Sequence, residues 1–298
     1  MLTFFSTAKP FLGHIGTIQR NAIRSWRHLH ADVEVILLGD DKGTAEVCEE
    51  LGLVHVKEVE KNRFGTNYVS SIFDRAQEMA RHDLLCYTNC DILLLDDFRN
   101  AIELVSEAKP QFLVAGRRWD LDLKYPLDFH LPGWQVEVRR LAREANRRRP
   151  AQFMDYFAFK KGLYYHKIPE LLIGRAGWDN WMIWAARYAG VPIVDVSASV
   201  CAVHQNHDYS HHPQGEKGIY EGEEARWNYR LTEGHRKFGT LESAAYLLES
   251  GELRKNRKRW LADVKRGWRE VSRPLWFSFL DFSRPLRHKI GLRQRVRT

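Results

Sequence analysis

Asn89, Cys90 and Asp91 form a short polar break between two apolar runs, Leu84-Leu85 and Ile92 to Leu95. A near-continuous apolar run marks a strand buried on both faces. A carboxylate where such a strand ends sits at the carboxyl edge of the sheet, where open α/β folds bind their ligands. Asp91, with the amide oxygen of Asn89 close by, offers oxygen ligands to a hard divalent cation. That chemistry suits a metal-assisted reaction on a phosphate-bearing substrate. The competing account is an ordinary turn, since Asn and Asp are turn residues.

Other residues add to this chemistry. The segment from Val203 to His212 carries His204, His207, His211 and His212. Gly177-Trp178-Asp179-Asn180-Trp181 places an acid where a helix begins. Such an acid is either a proton acceptor for a substrate hydroxyl or a plain helix cap. Asp155 lies within the apolar run Phe153 to Phe159 and is a second carboxylate of the same kind.

The elements that must position these groups alternate. Strands are expected at 2–6, 33–38, 54–56, 84–88 and 111–115, with helices at 15–29, 44–51, 68–80 and 97–105 between them. Alternation at this spacing argues for βαβ units and an α/β fold with a mainly parallel central sheet and flanking helices. Residues 119–150 interrupt the pattern and read as an insertion with a charged helix near 136–147. Further strands are expected at 153–159, 191–196 and 199–204; 174–181 reads as a loop turning into a helix that runs to 188, and helices are expected at 221–231 and 241–248. The expected division is a domain of 1–220 followed by a helical, basic extension of 221–298.

Charge is unevenly spread. The formal net charge of the 298 residues is +8, and residues 254–298 hold 15 Lys or Arg against three acids, Asp263, Glu270 and Asp281. The rest of the chain is slightly acidic, so any large anionic partner should meet the tail. Leu253, Trp260, Val264, Trp268, Val271 and Leu275 recur there at helical spacing, followed by aromatic residues from Trp276 to Phe282. This suits docking on an anionic membrane surface; the alternative is packing on the preceding domain. The basic tail is the only feature that favours nucleic acid, and no binding motif accompanies it. The four cysteines form no CxxC pair, so a zinc site is not expected. No signal peptide or membrane-spanning run is evident, and the expectation is a cytoplasmic protein, peripheral at most at the inner membrane face.

Five pieces in order carry a family resemblance: Phe4-Phe5-Ser6-Thr7, Leu38-Gly39-Asp40-Asp41, Gly65-Thr66-Asn67, Asn89-Cys90-Asp91 and Gly177-Trp178-Asp179-Asn180. In these the first 205 residues resemble nucleotide-sugar glycosyltransferases of the GT-A type, Rossmann-like in fold, and most of all the broad bacterial family-2-like group. The resemblance implies that Asn89-Cys90-Asp91 stands where the family has a DxD motif, which binds a divalent cation and the ribose. Asp91 matches the second acid and Asn89 replaces the first. It also implies a late histidine as a further metal ligand, His204 first and His207 second, with Mn2+ or Mg2+ as the ion; imidazole favours manganese. Asp40 matches the nucleoside-contacting acid, while Thr7 and Lys9 lie where such enzymes hold the base. Arg63 and Asn67 are further donor-side candidates, a solvated loop being the alternative. Asp179 matches the catalytic base of inverting members, with Asp155 next in line, and Trp178 and Trp181 are placed to stack on acceptor sugar rings.

The resulting expectation is a metal-assisted glycosyltransferase that moves a sugar from a nucleotide-sugar donor to a glycan or lipid-linked acceptor. A sugar-phosphate nucleotidyltransferase would need a Gly-rich loop after the first strand, where this chain reads Ser6-Thr7-Ala8-Lys9-Pro10. A dehydrogenase lacks support because no GxGxxG follows that strand. A non-catalytic binding module is favoured only by the Asn at 89.

Overall fold

The computed structural model describes residues 1–207, 220–234, 236–261, 263 and 264. It divides into a compact unit of Met1–Asn256 and a second unit that begins at Arg257. Of the second unit only 257–261, 263 and 264 are described, so most of the expected tail helix and its aromatic cluster lie outside the described residues, as do His211 and His212. No helix among the described residues is long and apolar enough to cross a membrane.

The first unit follows the expected alternation. Strand β1 (Leu2–Thr7), helix α1 (Gly13–His28), β2 (Val33–Leu38), α2 (Thr44–Leu51), β3 (Val54–Val56), α3 (Val69–Met79) and β4 (Leu84–Thr88) form successive βαβ units. There follow β5 (Ile92–Leu93), α4 (Asp96–Ala108), β6 (Leu113–Leu121), α5 (Trp134–Ala145), β7 (Met154–Lys160), α6 (Trp178–Tyr188), β8 (Ile193–Asp195) and β9 (Ala202–Gln205). Helix α7 (Glu223–Leu231) and strands β10 (Tyr246–Glu249) and β11 (Glu252–Lys255) complete the unit.

The sheet runs β11-β10-β8-β6-β7-β4-β1-β2-β3. Its pairings are parallel except at β7, which opposes both β4 and β6, and at the β10–β11 hairpin. The reversed strand matters for the site. It brings the start of β7, with Asp155, to the same edge as the ends of β1, β2 and β4. Apolar faces of α1 and α4 cover one side of the sheet through Ala22, Trp26, Phe98 and Ile102. Those of α3 and α6 cover the other through Ile72, Phe73, Trp178 and Met182.

Strand β6 is longer than expected and serves two partners. Its first half lies in the main sheet. Its second half, Arg118 to Leu121, pairs in parallel with β9, which in turn pairs with β5. The change of direction falls at Gly116, where the β6–β7 register shifts between Ala115 and Arg117. An added Cβ at Gly116 would lie 2.0 Å from the Tyr156 hydroxyl, so only glycine fits there. The insertion packs over this small sheet, with Trp134, Val138 and Ala142 of α5 against Leu93, Leu121 and Val203.

The C-terminal third differs from expectation. The helix expected over 241–248 is a single 3₁₀ turn, Leu241–Ser243, followed by β10. Ser250 and Gly251 both take positive φ, and this two-residue turn folds β11, with Leu253, back on β10. The expected break after residue 220 therefore moves to 256, because these strands extend the sheet.

Candidate functional site

The carboxyl edge of the sheet gathers the chemistry. Asp91 follows β4 and immediately precedes β5. The β5–β9 pairing sets Ile92 opposite His204, and the β6–β9 pairing sets Asp120 beside His204. Three chain crossings thus converge. Asp91, His204 and His207 form a group whose ligand atoms all lie within 4.8 Å of one another.

The details suit a cation. His207 Nε2 is 3.2 Å and His204 Nε2 3.9 Å from Asp91 Oδ2. Asp91 is buried and its Oδ1 has no hydrogen-bond partner among the described residues, an acceptor that a cation would satisfy. Burial alone would raise the Asp91 pKa. His204, Lys9 and His207 outweigh it and hold the carboxyl well below its usual range, so it is an anion ready to ligate. Burial lowers the His204 pKa, and Arg118 adds to that against the pull of Asp91. His204 Nδ1 faces Asn206 Oδ1 at 3.3 Å; if it carries the proton, the Nε2 lone pair turns toward Asp91.

Asn89 has a different task from the one expected. Its amide oxygen accepts from the Tyr87 hydroxyl at 2.9 Å, and its Nδ2 donates to Asp155 Oδ1 at 2.7 Å. The side chain thus bridges Tyr87 and Asp155. An aspartate here would set two carboxylates against each other, so the amide is what Asp155 requires. Thr7, also expected on the donor side, lies near Tyr87 and slightly offsets the rise that burial gives the Tyr87 pKa.

Asp155 itself is held from both sides. Its other oxygen accepts from Arg118 Nη1, whose Nε donates to Asp120 Oδ1 at 3.0 Å. With Asn89 on one oxygen and Arg118 on the other, Asp155, expected as the alternative base, ties the two neighbouring strands together. Arg118 and Asp120 were not singled out from sequence. The local signal is Arg117-Arg118-Trp119-Asp120, which continues directly from the apolar run of β6, past the strand end expected at residue 115.

Asp179 lies in the first turn of α6, after Gly177 in a left-handed conformation. Burial pushes its pKa up to about 7, and the negative charge of Asp155 adds to this against the Asn180 backbone N–H and Arg118. The helix dipole favours the anion by only about 0.3–1 kcal/mol, so desolvation wins. Asp155 and Arg118 act on Asp179, and Arg118 also feels Asp120 and Asp91. The metal-ligating group and the carboxyl poised near neutrality therefore belong to one electrostatic neighbourhood.

On the other flank, Gly39 ends β2 with φ +105°, and a Cβ there would lie 3.4 Å from Asn67 Nδ2 and 3.7 Å from Asp41 Oδ2. Asn67 is buried with an orphaned Oδ1. Burial raises the Asp41 pKa. Asp40, the expected acid, is exposed and bonded to Lys61. Arg63 is 71% exposed at its side chain and paired with Glu223 of α7, so it is a solvated loop residue. Lys9 turns toward Asp91 and His207.

Trp178 and Trp181, expected to stack on acceptor sugar rings, are core residues. Both are buried in the core beneath α6. Trp178 meets Tyr87 edge-on at 5.1 Å and Phe157 at 5.8 Å. At a spacing of three residues they share the inward face of the helix.

The chain is similar to solved structures that hold nucleotides. One is S. aureus TarS 1–349 with UDP-GlcNAc, at 12% identity and TM-score 0.48, covering 79% of this chain and 72% of that one. A second is the mannosyltransferase PcManGT of Pyrobaculum calidifontis with GDP-Man and Mn2+, at 17% identity and TM-score 0.44, covering 79% and 62%. A third is glucosyl-3-phosphoglycerate synthase of Mycobacterium tuberculosis with Mn2+, UDP and phosphoglyceric acid, at 13% identity and TM-score 0.44, covering 78% of each. Against other TarS structures the match covers only 57% or 43% of the length of the TarS chain. No family model and no curated protein matches the sequence.

Proposed function

We infer that the protein is a GT-A-type glycosyltransferase that moves a sugar from a nucleotide-sugar donor to an acceptor hydroxyl with the help of a divalent cation. The observation that carries this reading is the pairing of an Asp91–His204–His207 group with Asp179, a half-buried carboxyl whose pKa is pushed up to about 7 and which feels Asp155 and Arg118 beside that group.

Each residue has a defined task in this reading. Asp91, His204 and His207 hold the cation; the imidazole ligands favour Mn2+ over Mg2+. A bound cation neutralises the charge that develops on a departing diphosphate. Lys9, next to this group, has an ammonium that can pair with the diphosphate once a cation holds Asp91 and His207. Asp41 and Asn67, beside Gly39, face the nucleoside, with Asp40 and Lys61 at the rim. Asp179 takes the proton from the acceptor hydroxyl, a task best done by a group titrating near the working pH. Attack from that side, opposite the leaving diphosphate, inverts the anomeric carbon. Asp155, Arg118 and Asn89 fix the charge balance around Asp179. The acceptor is a glycan or a lipid-linked glycan, in keeping with the basic C-terminal segment.

The deciding experiment incubates the protein with UDP- and GDP-sugars, with and without Mn2+, and follows nucleoside diphosphate release. Metal-dependent release from one donor, lost in Asp91→Asn and Asp179→Asn while both variants stay folded, is the expected result. Full activity in either variant rejects the assignment.

A further inference from the structure

Lys9 is held with unusual care for a loop lysine. Gln19 of α1 clamps its peptide on both sides: Gln19 Oε1 accepts from the Lys9 backbone N–H at 2.7 Å, and Gln19 Nε2 donates to the Lys9 carbonyl at 2.8 Å. Gln19 is buried, so nothing competes for either bond. The clamp fixes the backbone just past β1 while the side chain reaches across the sheet edge. Its Nζ lies 2.8 Å from His207 Nε2 and 3.5 Å from Asp91 Oδ2.

An ammonium can only donate. His207 therefore presents the Nε2 lone pair to Lys9, and Asp91 presents Oδ2. A divalent ion bound by the Asp91–His204–His207 group would use the same lone pair and the same carboxylate. Ligand atoms approach such an ion to about 2.0–2.2 Å, so the ion and the ammonium cannot share the place. Like charge alone would drive one of them out. The Lys9 side chain is 31% exposed and flexible, so it has somewhere to go.

We propose that Lys9 is a tethered occupant of the cation site: its ammonium pairs with Asp91 and His207 in the free protein, a divalent ion must displace it, and the diphosphate of an arriving donor draws it away. This rests on the metal-assisted reading above. Two consequences follow from electrostatics. In the free protein the buried Asp91 charge is never left uncompensated, which would otherwise be strongly destabilising. The ion and the nucleotide also bind with positive coupling, each favouring the other by the same factor.

The test measures Mn2+ binding to the full chain from the free-ion paramagnetic resonance signal, with no sugar donor present and no turnover required. Lys9→Met keeps the stem and removes the charge; Lys9→Arg keeps the charge. Lys9→Met should bind Mn2+ at least about tenfold more tightly than the native chain, and Lys9→Arg should match the native chain. Adding UDP as the probe should tighten Mn2+ binding more in the native chain than in Lys9→Met. Unchanged or weaker Mn2+ binding in a folded Lys9→Met overturns the role of Lys9 alone. If Lys9→Met fails to fold, Lys9→Gln decides by the same criterion. Absence of Mn2+ binding in the native chain and in the variants overturns both this role and the metal site.

Discussion

Ile92 stands opposite His204 where β5 pairs with β9. This register places Asp91 beside Gln205, whose backbone N–H donates to the Asp91 carbonyl at 3.1 Å. A slip of one residue would turn the imidazole to the other face of the ribbon. Two very short strands thus set the geometry of the cation site.

Asp91→Asn keeps the shape of the side chain and removes its charge. Mn2+ affinity, read by calorimetry, should fall at least about a hundredfold, since even outer-shell changes at metal sites cost tenfold to a hundredfold. His204→Ala should weaken binding in the same direction. Unaltered Mn2+ affinity in Asp91→Asn would remove Asp91 from the site.

Asp179 must be ionised to accept a proton, and its pKa is raised to about 7. The rate at low substrate should therefore rise with pH and level off above neutrality. Stability should show the opposite slope. Between 3.8, the ordinary value, and about 7 the unfolded carboxyl ionises while the folded one keeps its proton, so stability falls as pH rises through that window. Asp179→Asn should lose transfer activity, flatten that slope and raise stability at pH 8 by about 2–4 kcal/mol. Denaturant titrations at pH 4 and pH 8 measure it.

Asn89→Asp restores the acid that the DxD pattern has at this position, and on that pattern alone it should strengthen metal binding. The contact with Asp155 at 2.7 Å argues otherwise. Two facing carboxylates should lower stability by about 1–3 kcal/mol at neutral pH, with Mn2+ affinity improved little. A variant that binds Mn2+ much more tightly and unfolds no earlier would contradict the role given to Asn89.

Trp178→Ala separates core from ligand. A buried tryptophan packed on Tyr87 and Phe157 should cost about 3–5 kcal/mol of stability when truncated. Trp178→Phe, which retains most of the packing, should leave the acceptor KM unchanged. A raised KM in a fully stable Trp178→Phe would return the ring to the binding surface.

Much of this site was legible in the chain. The apolar runs around Asn89-Cys90-Asp91 gave both the strand and its loaded end, and the Gly177-Trp178-Asp179 start of α6 was visible as a cap. What escaped depends on partners distant in sequence. Arg118 was hidden because β6 leaves the main sheet at Gly116 to form a second one, and no local pattern announces a shared strand. The role of Asn89 is set by Asp155, 66 positions away. Trp178 and Trp181 look alike as core and as stacking residues until the helix face is known. The hairpin at Ser250-Gly251 was missed because leucines at 247, 248 and 253 also fit a helical period.

Asp91 and His207 are separated by 116 positions along the chain, and they meet only after the first strand, the reversed strand β7 and the late strand β9 have all docked. A cation held there is a seal on the finished topology. Partly assembled chains offer it no grip, so loading with Mn2+ should raise the melting temperature and chelation should lower it. The same ion that serves the chemistry would then also report that folding is complete.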